Sequence, residues 1–242
     1  MLKTFKRGGI HPPENKISAD AETRELPLGT MVYIPVGQHL GAPASPVVNK
    51  GDKVRTGQLI AKSAGFVSAN IHSSVSGTVV KVDPVPDVSG YPKTGIIISV
   101  EGDEWVETID RSPGLNTEIT HSGQEIVGKI MEAGIVGMGG ATFPTHVKLV
   151  PPKGMKAEYL LINGVECEPY LTSDNRLMLE KAEEIVVGTK LLMKAVEVDT
   201  AFIGIENNKP EAIARLQKAA GLFPGISVIP LKVKYPQGGV HG

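Results

Sequence analysis

GIVGMGGATFPTHVKLVPPKGMKAEYLLINGVECEPYLTSDNR, residues Gly134–Arg176, holds the two features that decide the fold. A glycine cluster (Gly134, Gly137, Gly139, Gly140) ends a helix-like segment, an apolar run over 159–162 follows, and the carboxylates Glu166 and Glu168 come soon after it. Closely spaced glycines let backbone N–H groups turn toward an anion with no side chain in the way. Polar residues at the carboxyl end of a buried strand stand where open α/β sheets place ligands. A flat, phosphate-bearing cofactor satisfies both halves.

Immediately outward, Thr120 or Ser122 is placed to cap a helix running to about Glu132, with Ile126, Val127, Ile130 and Met131 at helical spacing and Gly134 as its stop. The loop Gly137-Met138-Gly139-Gly140-Ala141-Thr142 departs from the dinucleotide fingerprint at its last position and follows a helix instead of a strand, which disfavours an ordinary Rossmann dinucleotide site. Thr142-Phe143-Pro144 starts a short second helix, with Pro144 in its first turn and N-terminal N–H groups available to a phosphate, and Lys148 brings a cation to the same place. The continuous apolar run 159–162 is expected to be a buried strand. Asn163 and Gly164 begin the turn that carries Glu166, Cys167 and Glu168, whose carboxylates suit hydrogen bonding to a cofactor or substrate. No histidine stands at ligand spacing, so no metal site is expected. Beyond it, Asp174 is expected to cap one long helix over about 176–195, followed by a strand at 200–206, a helix from Asn208-Lys209-Pro210 to Gly221, and a strand at 226–233.

Toward the N-terminus, Pro12-Pro13 after His11 forces an extended strap. From Leu26 to about Glu101 short Val/Ile runs punctuated by Gly and Pro predict a β-rich domain. Within it, VNKGDKVRTGQLI (48–60) and SVSGTV (74–79) resemble the biotinyl/lipoyl barrel-sandwich family over roughly 70 residues. Carrier members of that family present an attachment lysine on a hairpin, whereas residues 65–73 here, GFVSANIHS, contain none, so the resemblance implies a docking or supporting module. The polar segment 102–116 marks the boundary, anchored by the sole tryptophan, Trp105. The expected organisation is a strap with a barrel-sandwich domain over 1–115 and a Rossmann-like α/β domain over 116–242.

A chain of 242 residues, 41% apolar and 21% charged, is ordinary globular material with enough length for a sizeable core. A formal net charge of −1 with scattered lysines gives no electrostatic argument for nucleic acid. No apolar run approaches the roughly 20 residues a spanning helix needs, and the start MLKTFKRGG has no apolar signal core. The single cysteine, Cys167, excludes an internal disulfide or a cysteine-ligated cluster built within this chain.

GMGGATFPTHVK followed by NGVECEPYLTSDNR is similar to the flavin site of the respiratory complex I flavin-subunit family, and with FKRGGIHPPENK at the start the chain resembles more closely the family of C subunits of Rnf ion-translocating electron-transport complexes. The resemblance implies FMN contacted by Gly137, Gly139, Gly140, Lys148, Asn163 and Glu166, NADH oriented by Glu168 as the catalytic residue, and Phe143 stacking on the dinucleotide. Val165 stands where complex I relatives carry an aspartate, and Leu149 where they carry an aromatic residue. Glu206 and Gly204, at a strand end, and Tyr235-Pro236-Gln237-Gly238-Gly239 are further pocket candidates. The family continues into a ubiquitin-like domain and cysteine-rich segments for [4Fe–4S] clusters, so this chain is expected to be a fragment whose clusters lie elsewhere. The resemblance thus implies a peripheral subunit on the cytoplasmic face of the membrane, assembled with other subunits, that passes electrons from NADH through FMN to iron–sulfur centres. The competing expectation is a non-catalytic docking subunit with a vestigial flavin fold.

Overall fold

The computed structural model describes residues 2–6, 8–86, 90–138 and 140–237. Contacts group the chain into two compact units, one of Glu25–Gly114 with Gln124–Val150, the other of Met1–Arg24 with Leu115–Gly123 and Pro151–Gly242.

The first unit contains strands β1 (Met31–Pro35), β2 (Ser45–Pro46), β3 (Lys53–Val54), β4 (Leu59–Lys62), β5 (Ile71–His72), β6 (Ser76–Pro86) and β7 (Pro92–Gly102). Four of them pair antiparallel in the order β1-β7-β6-β3, and a second sheet runs β2-β4-β5. Ile34, Val54, Val79, Ile96 and Ile98 from the first sheet share one core with Ile60 and Ile71 from the second. Each Val/Ile run thus supplies one buried face of a sandwich. The β6–β7 ladder extends to Pro86↔Pro92, past the Val/Ile runs that announce it. Proline supplies no ladder donor, and its presence hides those strand ends in the sequence. Helix α1 (Gly123–Glu132) buries Ile126 and Ile130 and stops at Gly134, whose φ of +67° only glycine adopts readily. A single turn, α2 (Thr145–Lys148), follows with Pro144 at its N-cap, one place outside the expected first turn.

The second unit runs β8 (Leu160–Asn163), α3 (Ser173–Glu180), α4 (Ala182–Ala195), β9 (Ala201–Glu206), α5 (Pro210–Ala220) and β10 (Ile226–Leu231), with the parallel strand order β10-β9-β8. Met178, Val186, Ile203, Ile205 and Leu216 are the centre of its core. The helix expected over 176–195 is two helices, because Lys181 at φ −131° and ψ 34° lies outside the helical range. The expected burial of the run 159–162 does not hold either. Among the described residues β8 is the edge strand of three with one neighbour, and Leu161 is 74% exposed.

The contact grouping differs from the expected division at residue 115. The strap goes with the α/β strands because Lys3 bridges Leu231 and Ile10 bridges Tyr235. The glycine-loop segment goes with the β-rich unit because Asn70 Nδ2 donates to the Glu132 carbonyl (3.0 Å) and the Leu40 amide to the Thr142 carbonyl (3.3 Å). Among the described residues no helix is long and apolar enough to cross a membrane.

Candidate functional site

In the β-rich unit the glycine loop is closed at its base. Val136 bridges Pro144, the Gly137 amide donates to the Phe143 carbonyl at 3.0 Å, and the Thr145 amide to the Ile135 carbonyl at 3.0 Å. Thr142 takes φ +49° at the tip. A Cβ built on Gly137 would stand 3.7 Å from Lys148 Nζ, and that ammonium is 5.7 Å from the Phe143 ring centroid. Gly137, Phe143 and Lys148 are therefore brought together. Lys148 is exposed and, among the described residues, no carboxylate pairs with it. Gly140 is exposed, and a Cβ placed on it would meet nothing within 4 Å. Gly139 lies outside the described residues. Two amides at the start of the short helix are not available to an anion, because that of Thr145 is spent on Ile135 and that of Val147 on Pro144. In the same turn His146 is buried with no hydrogen-bond partner at Nδ1.

In the α/β unit Asn163, Glu166 and Glu168 share one turn after β8. Asn163 is exposed and its Oδ1 accepts the Val165 amide at 3.1 Å. Glu166, at φ +48° and only 6% exposed, turns its carboxylate onto the N-terminus of α3. Oε1 accepts the Asp174 amide at 2.6 Å and Oε2 the Asn175 amide at 3.3 Å. The cap expected from Asp174 thus comes from Glu166, reached through tertiary structure. The main-chain carbonyls of the turn face two ammonium groups. Lys16 Nζ donates to Glu166 O (2.9 Å), Glu168 O (2.9 Å) and Leu171 O (2.7 Å), and buried Lys209 Nζ to Val165 O (2.8 Å) and Glu166 O (3.3 Å). The Glu168 side chain is exposed.

Burial, then the neighbouring Lys16 charge, pushes the Lys209 ammonium below its ordinary pKa. Burial pushes the Glu206 carboxyl up, and its Oε1 accepts the Lys234 amide at 2.9 Å and Gln237 Nε2 at 3.3 Å. Gly204 pairs in register with Asn163, which puts both residues on adjacent strand ends. Burial also raises the Cys167 thiol, which bonds the Gln237 main chain at 3.2 Å. Gly238 and Gly239 lie outside the described residues. Sequence reasoning missed Lys16 and Lys209. Nothing marks Lys16 within the strap, but a lysine directly before the Pro that opens a helix opposes the helix dipole, and that signal flags Lys209.

Each cluster, taken within its own unit, fits part of a flavin nucleotide. An unneutralised, exposed Lys148 beside a side-chain-free backbone accepts a phosphate. With the turn's carbonyls committed to the lysines, the amides of Glu166 and Glu168 have no acceptor among the described residues and remain for a ring oxygen or nitrogen. The Glu166 carboxylate does not fit a direct contact, being committed to α3.

Residues 130–241 match a family model described as the Nuo51 FMN-binding domain, and residues 3–103 one described as the RnfC barrel sandwich hybrid domain. The chain is 51% identical over 248 residues to the C subunit of the proton-translocating ferredoxin:NAD(+) oxidoreductase complex of Clostridium ljungdahlii, covering 98% of this chain and 51% of that one. It is 46% identical to the C subunit of the Na(+)-translocating ferredoxin:NAD(+) oxidoreductase complex of Acetobacterium woodii (97% and 53% covered). It is 43% identical to the C subunit of the ion-translocating oxidoreductase complex of Rhodobacter capsulatus (98% and 46% covered). The chain spans about half the length of these relatives.

Proposed function

Because the chain belongs to the family of C subunits of Rnf ion-translocating oxidoreductase complexes, we propose that it is the flavin-bearing part of a subunit that oxidises NADH and sends electrons to iron–sulfur centres outside this chain. FMN, when bound, supplies two-electron acceptance and single-electron release. The chain supplies binding and orientation. Lys148 and the main chain at Gly137, Gly139 and Gly140 hold the phosphate, Asn163 and the amides of the Glu166 turn hold the ring edge, and the Glu168 carboxylate orients the nicotinamide while Phe143 stacks on the dinucleotide. We assign this work to a Rossmann-like module over 116–242, with the β-rich module as its docking support on the cytoplasmic face of a membrane complex and beside its other subunits.

The observation that carries this reading is the exposed Lys148 ammonium against Gly137, with no carboxylate partner among the described residues. An FMN titration followed by flavin fluorescence tests it. Lys148→Ala is expected to weaken FMN binding about tenfold or more, the effect of one charge-assisted contact. Glu168→Gln is expected to slow NADH-dependent bleaching with FMN affinity retained. If neither variant changes NADH oxidation, the residue assignments fail. The inward-turned Glu166 carboxylate favours the docking alternative, since a group expected on the flavin serves a helix. A protein that stays colourless with FMN and shows no bleaching with NADH establishes that alternative.

A further inference from the structure

We propose that Lys16, in the N-terminal strap, is a positioning residue that sets the acidic turn in its flavin-binding shape; the inference rests on the flavin reading above. An ammonium has three donors, and here all three end on carbonyls of one turn, those of Glu166, Glu168 and Leu171. No carboxylate forms an ion pair with Lys16 among the described residues, and its three hydrogen bonds all go to main-chain oxygens. The turn needs such a fastening. Glu166 at φ +48° and Tyr170 at φ +69° occupy the left-handed region without being glycine, a conformation that persists only where its surroundings enforce it.

The rest of the strap is fastened to the same place. The Tyr170 amide donates to the Glu14 carbonyl at 2.9 Å, the hydroxyls of Ser18 and Thr172 meet at 2.8 Å, and Asn208 Nδ2 donates to Glu14 at 2.9 Å. Lys209 grips the Val165 and Glu166 carbonyls as a second ammonium. Drawing the carbonyls of 166, 168 and 171 to one point leaves the amides of Glu166 and Glu168 and the Glu168 carboxylate free for a ligand. Lys16 therefore acts through the two residues proposed to meet flavin and nicotinamide.

The test compares the protein with Lys16→Met, which keeps the stem and loses the charge, and with Lys16→Arg, which keeps charge and donors. Amide hydrogen exchange without flavin is expected to accelerate about tenfold or more over residues 165–172 in Lys16→Met, with β9 unchanged. FMN affinity is expected to fall about tenfold, and Lys16→Arg to recover part of both. Unchanged exchange in Lys16→Met overturns the proposal, and so does faster exchange with FMN affinity equal to the parent's, which marks a merely structural residue. If the unaltered protein takes up no FMN, the flavin reading falls and the flavin role of Lys16 with it, while exchange separately decides whether Lys16 fixes the turn. Should Lys16→Met fail to fold, Lys16→Gln carries the same comparison.

Discussion

The Glu166 carboxylate accepts the Asp174 and Asn175 amides at the open end of α3, so its removal leaves two half-buried donors without this acceptor and an uncompensated dipole. Glu166→Ala is expected to lower stability by about 1–2 kcal/mol and Glu166→Gln by less, read from urea unfolding midpoints. Equal midpoints would show that α3 is capped some other way in solution. Glu180 supplies a pH-dependent counterpart. The Thr23 amide, then the Arg176 guanidinium, lowers its pKa from 4.5 to about 2. The unfolded chain takes up this proton near 4.5 while the folded chain refuses it until about 2, so the contribution is complete above 4.5 and lost as pH falls through that window. The melting-temperature gap between the protein and Glu180→Gln should accordingly be constant at neutral pH and narrow in acid. A gap that widens in acid would reverse the sign of the linkage.

At the scale of the element, α1 delivers the glycine loop, and Gly134 decides where it ends. Its φ of +67° and the Asn70 carbonyl packed against it leave no place for a side chain. Gly134→Ala is expected to destabilise by about 1–3 kcal/mol, whereas Gly128→Ala, in the same helix with open space around it, should stabilise by about 0.4–1 kcal/mol. Parallel urea titrations give both values, and a neutral Gly134→Ala would contradict the left-handed stop. Elements such as α1, β9 and α5 are legible because their apolar spacing and their end signals agree. The gap between α3 and α4 is not, since Lys181 is an ordinary helix former and only its backbone angles part the two. The Glu166 cap is equally hidden, because a local reading supplies Asp174 and the fold supplies a carboxylate from eight residues upstream.

For the whole molecule, a β-rich part and an α/β part were readable from glycine spacing and strand runs, and the order of the motifs pointed to the two family models that match. The strap's membership was not, because bridges such as Lys3↔Leu231 join segments far apart in sequence. The candidate site divides in the same way. Lys148 and the glycines announce themselves locally, while Lys16 gains meaning only from carbonyls about 150 residues away. The same long-range logic governs β8, which reads as interior by composition yet is an edge strand with one neighbour. There Leu161 is 74% exposed, Tyr159 is 58% exposed, and the Tyr159 ring lies 5.8 Å from that of Phe202. Among the described residues no second strand pairs with β8, and an apolar edge of that kind is a template for association between copies, for which a lysine is the usual deterrent. Leu161→Lys should therefore reduce light scattering at high concentration and leave the unfolding free energy within about 0.5 kcal/mol, as for an exposed position. A large loss of stability would instead mean that Leu161 is covered in solution, and the edge assignment of β8 would have to be given up.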